Sequence, residues 1–260
     1  MRVTLVQPEY NDNDDKRIRV EAVRDILMSR EMSGEKPDLI MLPEMWSTGF
    51  FSFENYIENS EDIYGETMTM LSEAAKCGKC YLFGGTFIEK SGGKYYNTAL
   101  LFDRKGDIAA VYRKIHLFAG EREYLSRGDK ISVAETDIGI MGMSVCYDLR
   151  FPELYRKMSE RGAQIFAGAA AWPFERKDHL CLLSRARALE NQAFLFFCCM
   201  AGVNKGVKYS GTSMAVSPTG EVIRTAGEKA QIYTAEAELS ECTEYRRKFP
   251  VLDDKVIITR

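Results

Sequence analysis

The stretch IGIMGMSVCYD, residues 138–148, runs into PELYRKMSERG, residues 152–162, and this junction indicates the fold class most clearly. The first segment is a predominantly apolar strand that ends in a sharp turn. The second is a helix with proline at its first position and glycine at its end. The same succession recurs where AQIFAGAAAW, residues 163–172, precedes a helical pattern at 177–192. Such alternation is typical of an α/β fold whose sheets are covered on both faces.

Apolar strands and helical patterns alternate along most of the remaining chain. Residues 14–32 carry Ile18, Ala22 and Ile26 at helical spacing, which predicts a helix there. The pair Gly92-Gly93 predicts a hairpin turn. Further strands are predicted at 3–7, 38–44, 81–88, 95–103, 108–114, 193–202 and 231–239, a hairpin at 210–226 and another helix at 66–76.

The composition is that of a folded protein. The chain has 260 residues, of which 45% are hydrophobic and 28% are charged, and this excludes general disorder. One α/β domain of this length buries about 70–75% of the surface of its unfolded chain. Because no linker, low-complexity segment or fixed-period repeat interrupts the pattern, we expect a single domain over residues 1–260.

Charge and cysteine usage exclude several classes of partner. Lys and Arg total 35 and Asp and Glu total 38, so no basic excess draws the chain to nucleic acid. No window of 18 apolar residues predicts a membrane span, and the N-terminus turns acidic after seven residues, unlike a signal peptide. Seven cysteines are an odd number for a disulfide framework. We therefore expect a cytoplasmic protein that binds neither membrane nor nucleic acid.

Three apolar strands end in a residue that can carry chemistry. Glu44 follows DLIMLP, Lys114 follows AAVYR and Cys146 follows IMGMSV. Ligands of α/β folds bind beyond the carboxyl ends of strands, where these residues can meet. A nucleophilic thiol needs a base, and its negatively charged intermediate needs a positive partner. Taken singly, Cys146 is more often a buried hydrophobe, and Glu44 and Lys114 are more often solvated strand ends or members of an ion pair.

Histidine chemistry and metal chemistry have less support. The chain has only two histidines, His116 and His179, and a pair of Cys146 with His116 stays open on spacing alone. Cys77 and Cys80 form a C-x2-C pair without the second pair that a zinc site needs. These residues therefore give little support to a zinc site.

A resemblance to a known family changes the weight of these alternatives. LPEMWSTGF at 42–50, YRKIHLF at 112–118 and CYDLRFPELYR at 146–156 resemble, in order and spacing, the three motif regions of the nitrilase superfamily, the carbon–nitrogen hydrolases. Each block alone is a weak signal, whereas the ordered set is specific. The resemblance extends over nearly the whole chain through 97–103, 121–128, 185–194 and 211–222.

The resemblance implies a fold, an assembly and a set of roles. It implies a four-layer α-β-β-α sandwich, a homodimer and a mechanism that needs neither a metal nor an organic cofactor. Glu44 corresponds to the general base of the family, Lys114 to its lysine and Cys146 to its nucleophile. Glu121, seven residues before Gly128, corresponds to a second glutamate that positions the catalytic groups or the substrate. Its alternative interpretation is a surface acid in an EREY turn.

The implied substrate is a small amide. Arg150, four residues after Cys146, resembles the omega-amidase-like branch, whose substrates are short dicarboxylic monoamides. Arg150 either grips the far carboxylate of the substrate or braces the turn through Asp148 or Glu153. Hydrolysis of N-carbamoyl amino acids or of nitriles stays open. So does a non-catalytic member of the fold that only binds a small molecule.

Further residues are candidates for the substrate site. The backbone N–H of Tyr147 is expected to bind the oxyanion together with Lys114. Trp46, Phe50 and Trp172 are expected as pocket walls, with a role as core aromatics as the alternative. Arg187, Glu190 and Asn191, which match a helix of the family, are expected to be structural.

Overall fold

Two six-stranded sheets and one three-stranded sheet form the framework of the chain. The computed structural model describes residues 1–29 and 36–256. The strands are β1 Arg2–Gln7, β2 Glu9–Tyr10, β3 Leu39–Met41, β4 Tyr81–Ser91, β5 Lys94–Phe102, β6 Ile108–Arg113, β7 Val133–Thr136, β8 Gly139–Val145, β9 Ile165–Ala170, β10 Phe194–Cys199, β11 Ala201–Asn204, β12 Val207–Lys208, β13 Met214–Val216, β14 Val222–Thr225 and β15 Gln231–Glu236. The helices are α1 Lys16–Leu27, α2 Glu66–Gly78, α3 Glu121–Tyr124, α4 Pro152–Glu160, α5 Lys177–Asn191 and α6 Ser240–Lys248, with 3-10 turns at Phe53–Asn55, Cys146–Arg150 and Phe174–Arg176.

The two large sheets have related internal order. One runs β15-β1-β3-β4-β5-β6 and the other β14-β13-β10-β9-β8-β7. Strands β1, β3 and β4 pair in parallel, as do β8, β9 and β10, and the outer strands of each sheet pair antiparallel. The small sheet, β12-β11-β2, links the two halves.

Alternation along the buried strands explains the layers. Leu39 and Met41 on β3 belong to the core between the two sheets, whereas Ile40 between them packs on the other side with Val23 of α1 and Leu71 of α2. Successive side chains of a strand point to opposite faces, so one apolar strand serves two cores.

The second sheet carries its own helices. Tyr155 of α4 meets Phe166 of β9 with ring centroids 5.1 Å apart, and Leu180 and Ala188 of α5 are fully buried in the same cluster. A helix layer therefore covers the outer face of each large sheet. The predicted α-β-β-α sandwich is confirmed.

The ends of several predicted elements shift for local reasons. The helix predicted at 14–32 begins at Lys16, because the carboxylate of Asp15 accepts the N–H of Ile18 at 2.8 Å as a cap. It ends at Leu27, and the predicted residues 30–32 lie outside the described residues. The hairpin at Gly92-Gly93 is confirmed, with φ of +56° and +75°.

The predicted strand at 138–148 ends at Val145, because the chain turns into the 3-10 segment there. The short strands β2, β7 and β12 were not predicted, and the predicted strand at 193–202 is divided into β10 and β11. In the described part of the chain, no helix has both the length and the apolar character to cross a bilayer.

Candidate active site

The three reactive residues that follow apolar strands come together in the folded chain. Cys146 directly follows β8, Lys114 directly follows β6, and Glu44 lies three residues beyond β3. Strand β8, which precedes Cys146, is in one large sheet, and strands β3 and β6, which precede Glu44 and Lys114, are in the other. The site therefore forms where the ends of strands from both sheets meet.

Glu44 is held in place by hydrogen bonds that involve groups of both sheets. Its Oε2 accepts the N–H of Ala171, just beyond β9, at 2.9 Å. The next residue, Met45, donates its N–H to Oγ1 of Thr86 at 3.0 Å. Gly85, with φ +66°, has to be glycine because a Cβ there would overlap the carbonyl oxygen of Pro43. This close approach of β4 aims the Glu44 carboxylate into the site.

Lys114 lies between two carboxylates. Its Nζ is 2.8 Å from Oε1 of Glu44 and 2.7 Å from Oε2 of Glu121, and all three side chains are fully buried. Burial acts to lower the pKa of Lys114, but the charges of Glu121 and Glu44 outweigh it and raise the pKa above its ordinary value. The lysine is thus a permanent cation, suited to stabilise negative charge and unsuited to act as a base.

Asn97 is a fourth member of the cluster that the sequence analysis missed as a site residue. Its Nδ2 donates to Oε1 of Glu44 at 2.9 Å and to Oε1 of Glu121 at 2.8 Å. The amide therefore separates two carboxylates that would otherwise repel each other across a buried space. The only sequence signal was its place inside the NTALLFD block at 97–103, because a polar residue in the middle of β5 carries no local sign of function.

Glu121 is not a surface acid. It begins the short helix α3 and is fully buried, and its Oε2 also accepts the N–H of Phe118 at 2.8 Å. Burial raises the pKa of Glu121, while the donors Lys114 and Asn97 oppose that rise. Since its three hydrogen-bond partners all donate, the group is held as a carboxylate that orients its neighbours.

Cys146 sits on a tight elbow. Its φ of +46° is in the left-handed region, an uncommon conformation for a residue with a Cβ. The buried carboxylate of Asp148 supports the elbow by accepting the N–H of Val145 at 2.9 Å and the hydroxyl of Tyr112 at 2.7 Å. It also accepts the backbone N–H of His116 at 3.1 Å. The strain is thus offset by bonds that tie the elbow to the loop after Lys114.

His116 has a supporting position beside this elbow. Its Nδ1 lies 2.7 Å from Oδ1 of Asp148, and its ring stacks on Phe151 with centroids 3.7 Å apart. In this arrangement His116 bonds Asp148, whereas the carboxylate beside the thiol is Glu44. Arg187, expected to be structural, donates from Nε to the carbonyl of Leu149 at 3.0 Å and so braces the elbow from α5.

The thiol of Cys146 is neutral in the resting protein. Burial raises its pKa well above the ordinary value, and the adjacent carboxylate of Glu44 raises it further, while Lys114 opposes both. A carboxylate in contact with a neutral thiol can accept its proton when a substrate arrives. Of the two glutamates, Glu44 is the one that contacts both the lysine and the thiol.

A pocket opens in front of Cys146. Phe50, Tyr147, Arg150 and Trp172, all predicted as substrate-site residues, lie in its wall. The guanidinium of Arg150 lies over the Trp172 ring, with Cζ 4.8 Å from the centroid. The full lining is Phe50, Phe51, Phe118, Cys146, Tyr147, Arg150, Ala171, Trp172, Pro173 and Arg176.

Two expectations about the wall need correction. Trp46 lies outside the pocket, because its Nε1 donates to the carbonyl of Gly84 at 3.0 Å and its ring packs in the core beneath α2. Within the described residues, Arg150 forms no ion pair with Asp148 or Glu153. The alternative role of Arg150, in which it braces the turn through one of these acids, is therefore not supported.

Comparison with known proteins gives a family match over most of the chain. Residues 2–247 match the family described as Carbon-nitrogen hydrolase. The chain is 36% identical to the 2-oxoglutaramate amidase of Paenarthrobacter nicotinovorans, over 97% of this chain and 88% of the relative. It is 34% identical to Omega-amidase NIT2 of Homo sapiens, over 87% and 86% of the two chains.

The fold has matching solved structures. Nit3 of Saccharomyces cerevisiae, described as a member of branch 10 of the nitrilase superfamily, superimposes with a TM-score of 0.88 at 30% identity, over 96% of this chain and 94% of that one. XC1258 of Xanthomonas campestris, described as a CN-hydrolase superfamily protein, gives a TM-score of 0.89 at 26% identity, over 100% and 98%.

Proposed function

The chain belongs to the carbon–nitrogen hydrolase family, and from this we propose that its amidase activity removes the terminal amide of a short dicarboxylic monoamide and releases ammonia. The resemblance seen in the sequence is thus confirmed at the level of the family. The proposal extends to the substrate and to the role of each residue.

One observation carries the substrate proposal. Cys146 and Arg150 line the same pocket, and the guanidinium of Arg150 rests on Trp172 without an acidic partner in the described part of the chain. A free guanidinium binds a carboxylate through two parallel hydrogen bonds, and an aromatic support holds it in orientation. An amide at one end of a short chain and a carboxylate at the other would therefore span from Cys146 to Arg150.

Acylation is the first half of the proposed reaction. Glu44 takes the thiol proton, and the sulfur of Cys146 attacks the amide carbon. The resulting oxyanion is stabilised by the ammonium of Lys114 and the backbone N–H of Tyr147. Glu44 then gives its proton to the nitrogen, the C–N bond breaks, and ammonia leaves behind a thioester.

Hydrolysis of the thioester is the second half. Glu44, again ionised, takes a proton from water as the water oxygen attacks the thioester carbon. Collapse of the second oxyanion releases the carboxylic acid and returns the proton to Cys146. Glu44 can serve both halves of the reaction because in each half it first accepts a proton, from the thiol or from water, and then donates it to the leaving nitrogen or sulfur. Glu121 and Asn97 keep the Glu44 and Lys114 side chains in place throughout.

The first experiment is ammonia release from a panel of short amides, with Cys146→Ala as the control. The panel contains 2-oxoglutaramate, for which one relative is named, other dicarboxylic monoamides, their uncharged analogues, N-carbamoyl amino acids and nitriles. We expect selective turnover of the carboxylated monoamides.

The other outcomes separate the alternatives. Selective turnover of carbamoyl compounds or nitriles would contradict the substrate proposal and keep the hydrolase. No turnover, together with no covalent adduct of Cys146 in mass spectra taken after incubation with each amide of the panel, would favour a binding protein.

We further propose that the working form is a homodimer in the cytoplasm. Leu182 and Leu189 are 68% and 47% exposed and lie two turns apart on the outer face of α5, which suits a partner surface. All seven cysteines lie in the described residues and are free, as in a reducing compartment. Sedimentation equilibrium of the wild type and of Leu182→Glu tests the dimer, since a charge at that interface should give monomers.

A further inference from the structure

Arg176 is a pocket residue with an anchored backbone and a free side chain. It ends the 3-10 turn Phe174–Arg176, and its carbonyl accepts the indole N–H of Trp172 at 2.7 Å. Its own N–H donates to the carbonyl of Pro173 at 3.1 Å. The segment starts at Ala171, whose N–H holds Glu44. The position of Arg176 is therefore tied to the same segment that orients the proposed base.

The side chain of Arg176 reaches over the ring of Phe118, another residue of the pocket lining. Its Cζ lies 5.8 Å from the ring centroid of Phe118, and the residue lines the pocket although it is exposed overall. No carboxylate of the described residues pairs with its guanidinium. Trp172 contacts both arginines. Its ring face supports the guanidinium of Arg150, and its indole N–H donates to the backbone carbonyl of Arg176.

We infer that Arg176 is a second specificity-determining residue, which acts with Arg150 to select amides that end in a carboxylate and to reject amides that carry an ammonium group. This inference deepens the proposed function and rests on it. Two guanidiniums that lie over different rings of one pocket can supply donors both to a carboxylate and to a 2-oxo oxygen next to it. A 2-oxo acid monoamide meets both requirements.

The charge of the pocket explains the rejection of ammonium groups. Of the described residues that line it, none is acidic, and two are arginines set among phenylalanine and tryptophan rings. A substrate ammonium would find no carboxylate among these lining residues and would face two like charges. Glutamine differs from 2-oxoglutaramate by such an ammonium group, so the pocket should favour the oxo acid.

The test uses three amides of matched length whose far ends differ in charge. Glutaramate ends in a carboxylate, pentanamide in a methyl group and 4-aminobutanamide in an ammonium group. We expect Arg176→Met, which keeps an apolar stem over Phe118, to lower kcat/KM for glutaramate by about 10- to 100-fold, mainly through KM. Pentanamide should stay within about twofold of the wild type. Arg17→Met, on the exposed side of α1, is the matched control and should change neither value.

A charge reversal at Arg176 should change the substrate preference in the opposite direction. Arg176→Glu should raise kcat/KM for 4-aminobutanamide relative to glutaramate by at least about 10-fold over the wild-type ratio. Equal losses on glutaramate and pentanamide would overturn the inference and indicate that Arg176 only supports the wall. An unchanged preference in Arg176→Glu would overturn it as well.

Binding of glutarate, the expected product, separates this inference from the proposed function. Calorimetric titration of glutarate should show a Kd raised by about 10-fold or more in Arg176→Met. Equal affinity of the wild type and Arg176→Met would overturn the role of Arg176 even if glutaramate is hydrolysed. Tight wild-type binding that is lost in the variant would support that role even if no amide of the panel is hydrolysed.

Discussion

The ammonium of Lys114 lies 2.8 Å from the carboxylate of Glu44, and neither side chain is exposed to solvent. The second carboxylate, Glu121, lies 2.7 Å from the same nitrogen, so a single buried cation serves two buried anions. An arrangement of this kind is costly to desolvate and is held together only if every member keeps its partners. Substitutions in this cluster should therefore affect both stability and activity, and the two effects can be measured separately.

Replacement of the proposed nucleophile, Cys146, should stop turnover and leave the fold intact. We expect Cys146→Ala to lower kcat by at least about 10³-fold, because no other group forms the thioester. Ammonia release measures the rate, and circular dichroism checks the fold. Cys77→Ala, at an exposed thiol, is the control and should keep wild-type activity. Retention of most of the activity in Cys146→Ala would remove Cys146 from the mechanism.

Removal of the cation should destabilise the protein as well as inactivate it. Lys114→Met leaves two buried carboxylates unpaired, and we expect the free energy of unfolding to fall by about 3–5 kcal/mol. Adding Glu121→Gln should restore about 1 kcal/mol or more, because one of the repelling charges is gone. Urea titrations measure both values. Activity should stay absent in the double variant, and an additive stability loss would contradict the coupling.

Asn97 should matter for rate more than for substrate binding. We expect Asn97→Leu to reduce kcat by about 10- to 100-fold, since Glu44 and Glu121 lose a shared donor and move relative to Lys114. KM should change little, because Asn97 does not line the pocket. Asn13→Leu, at an exposed asparagine, is the control for a simple loss of amide. A loss confined to KM would argue for a contact with substrate instead.

Arg150→Lys should weaken the recognition of carboxylated amides specifically. A lysine keeps the charge and loses the two-point geometry and the stacking on Trp172. We expect KM for dicarboxylic monoamides to rise by about 10-fold, with uncharged amides affected little. Steady-state kinetics on both kinds of amide measure this difference. An unchanged KM with carboxylated amides would argue against binding of the substrate carboxylate by Arg150.

The buried thiol of Cys146 should lower stability at alkaline pH. Folding raises its pKa, so between the unfolded and the folded pKa the native state binds one proton more than the unfolded chain. Stability then falls as pH rises above about 9, by about 1.4 kcal/mol per pH unit for this group. Denaturant titrations from pH 8 to pH 10.5 should show a shallower decline in Cys146→Ala than in the wild type. Parallel curves would show that the thiol pKa is not raised.

Local patterns predicted those site residues that stand at the end of an element. Glu44, Lys114 and Cys146 each follow an apolar strand, and that position is visible in a few neighbouring residues. Asn97 and Arg176 escaped prediction as site residues, because one lies inside a strand and the other in an exposed turn. Trp46 shows the opposite error, since an aromatic residue near a motif looks the same in a core as in a pocket.

The amino-acid sequence alone indicates the apolar strands and the helices. It also shows which residues can take part in chemistry and which blocks resemble the family. These features depend on side-chain periodicity and on contacts between near neighbours. Convergence of the site is a property of the folded chain. Lys114 and Glu44 are 70 residues apart, and the N–H of Ala171 that holds Glu44 comes from 127 residues away. Their meeting depends on the order in which strands pair and on how one sheet packs against the other, which no local pattern contains.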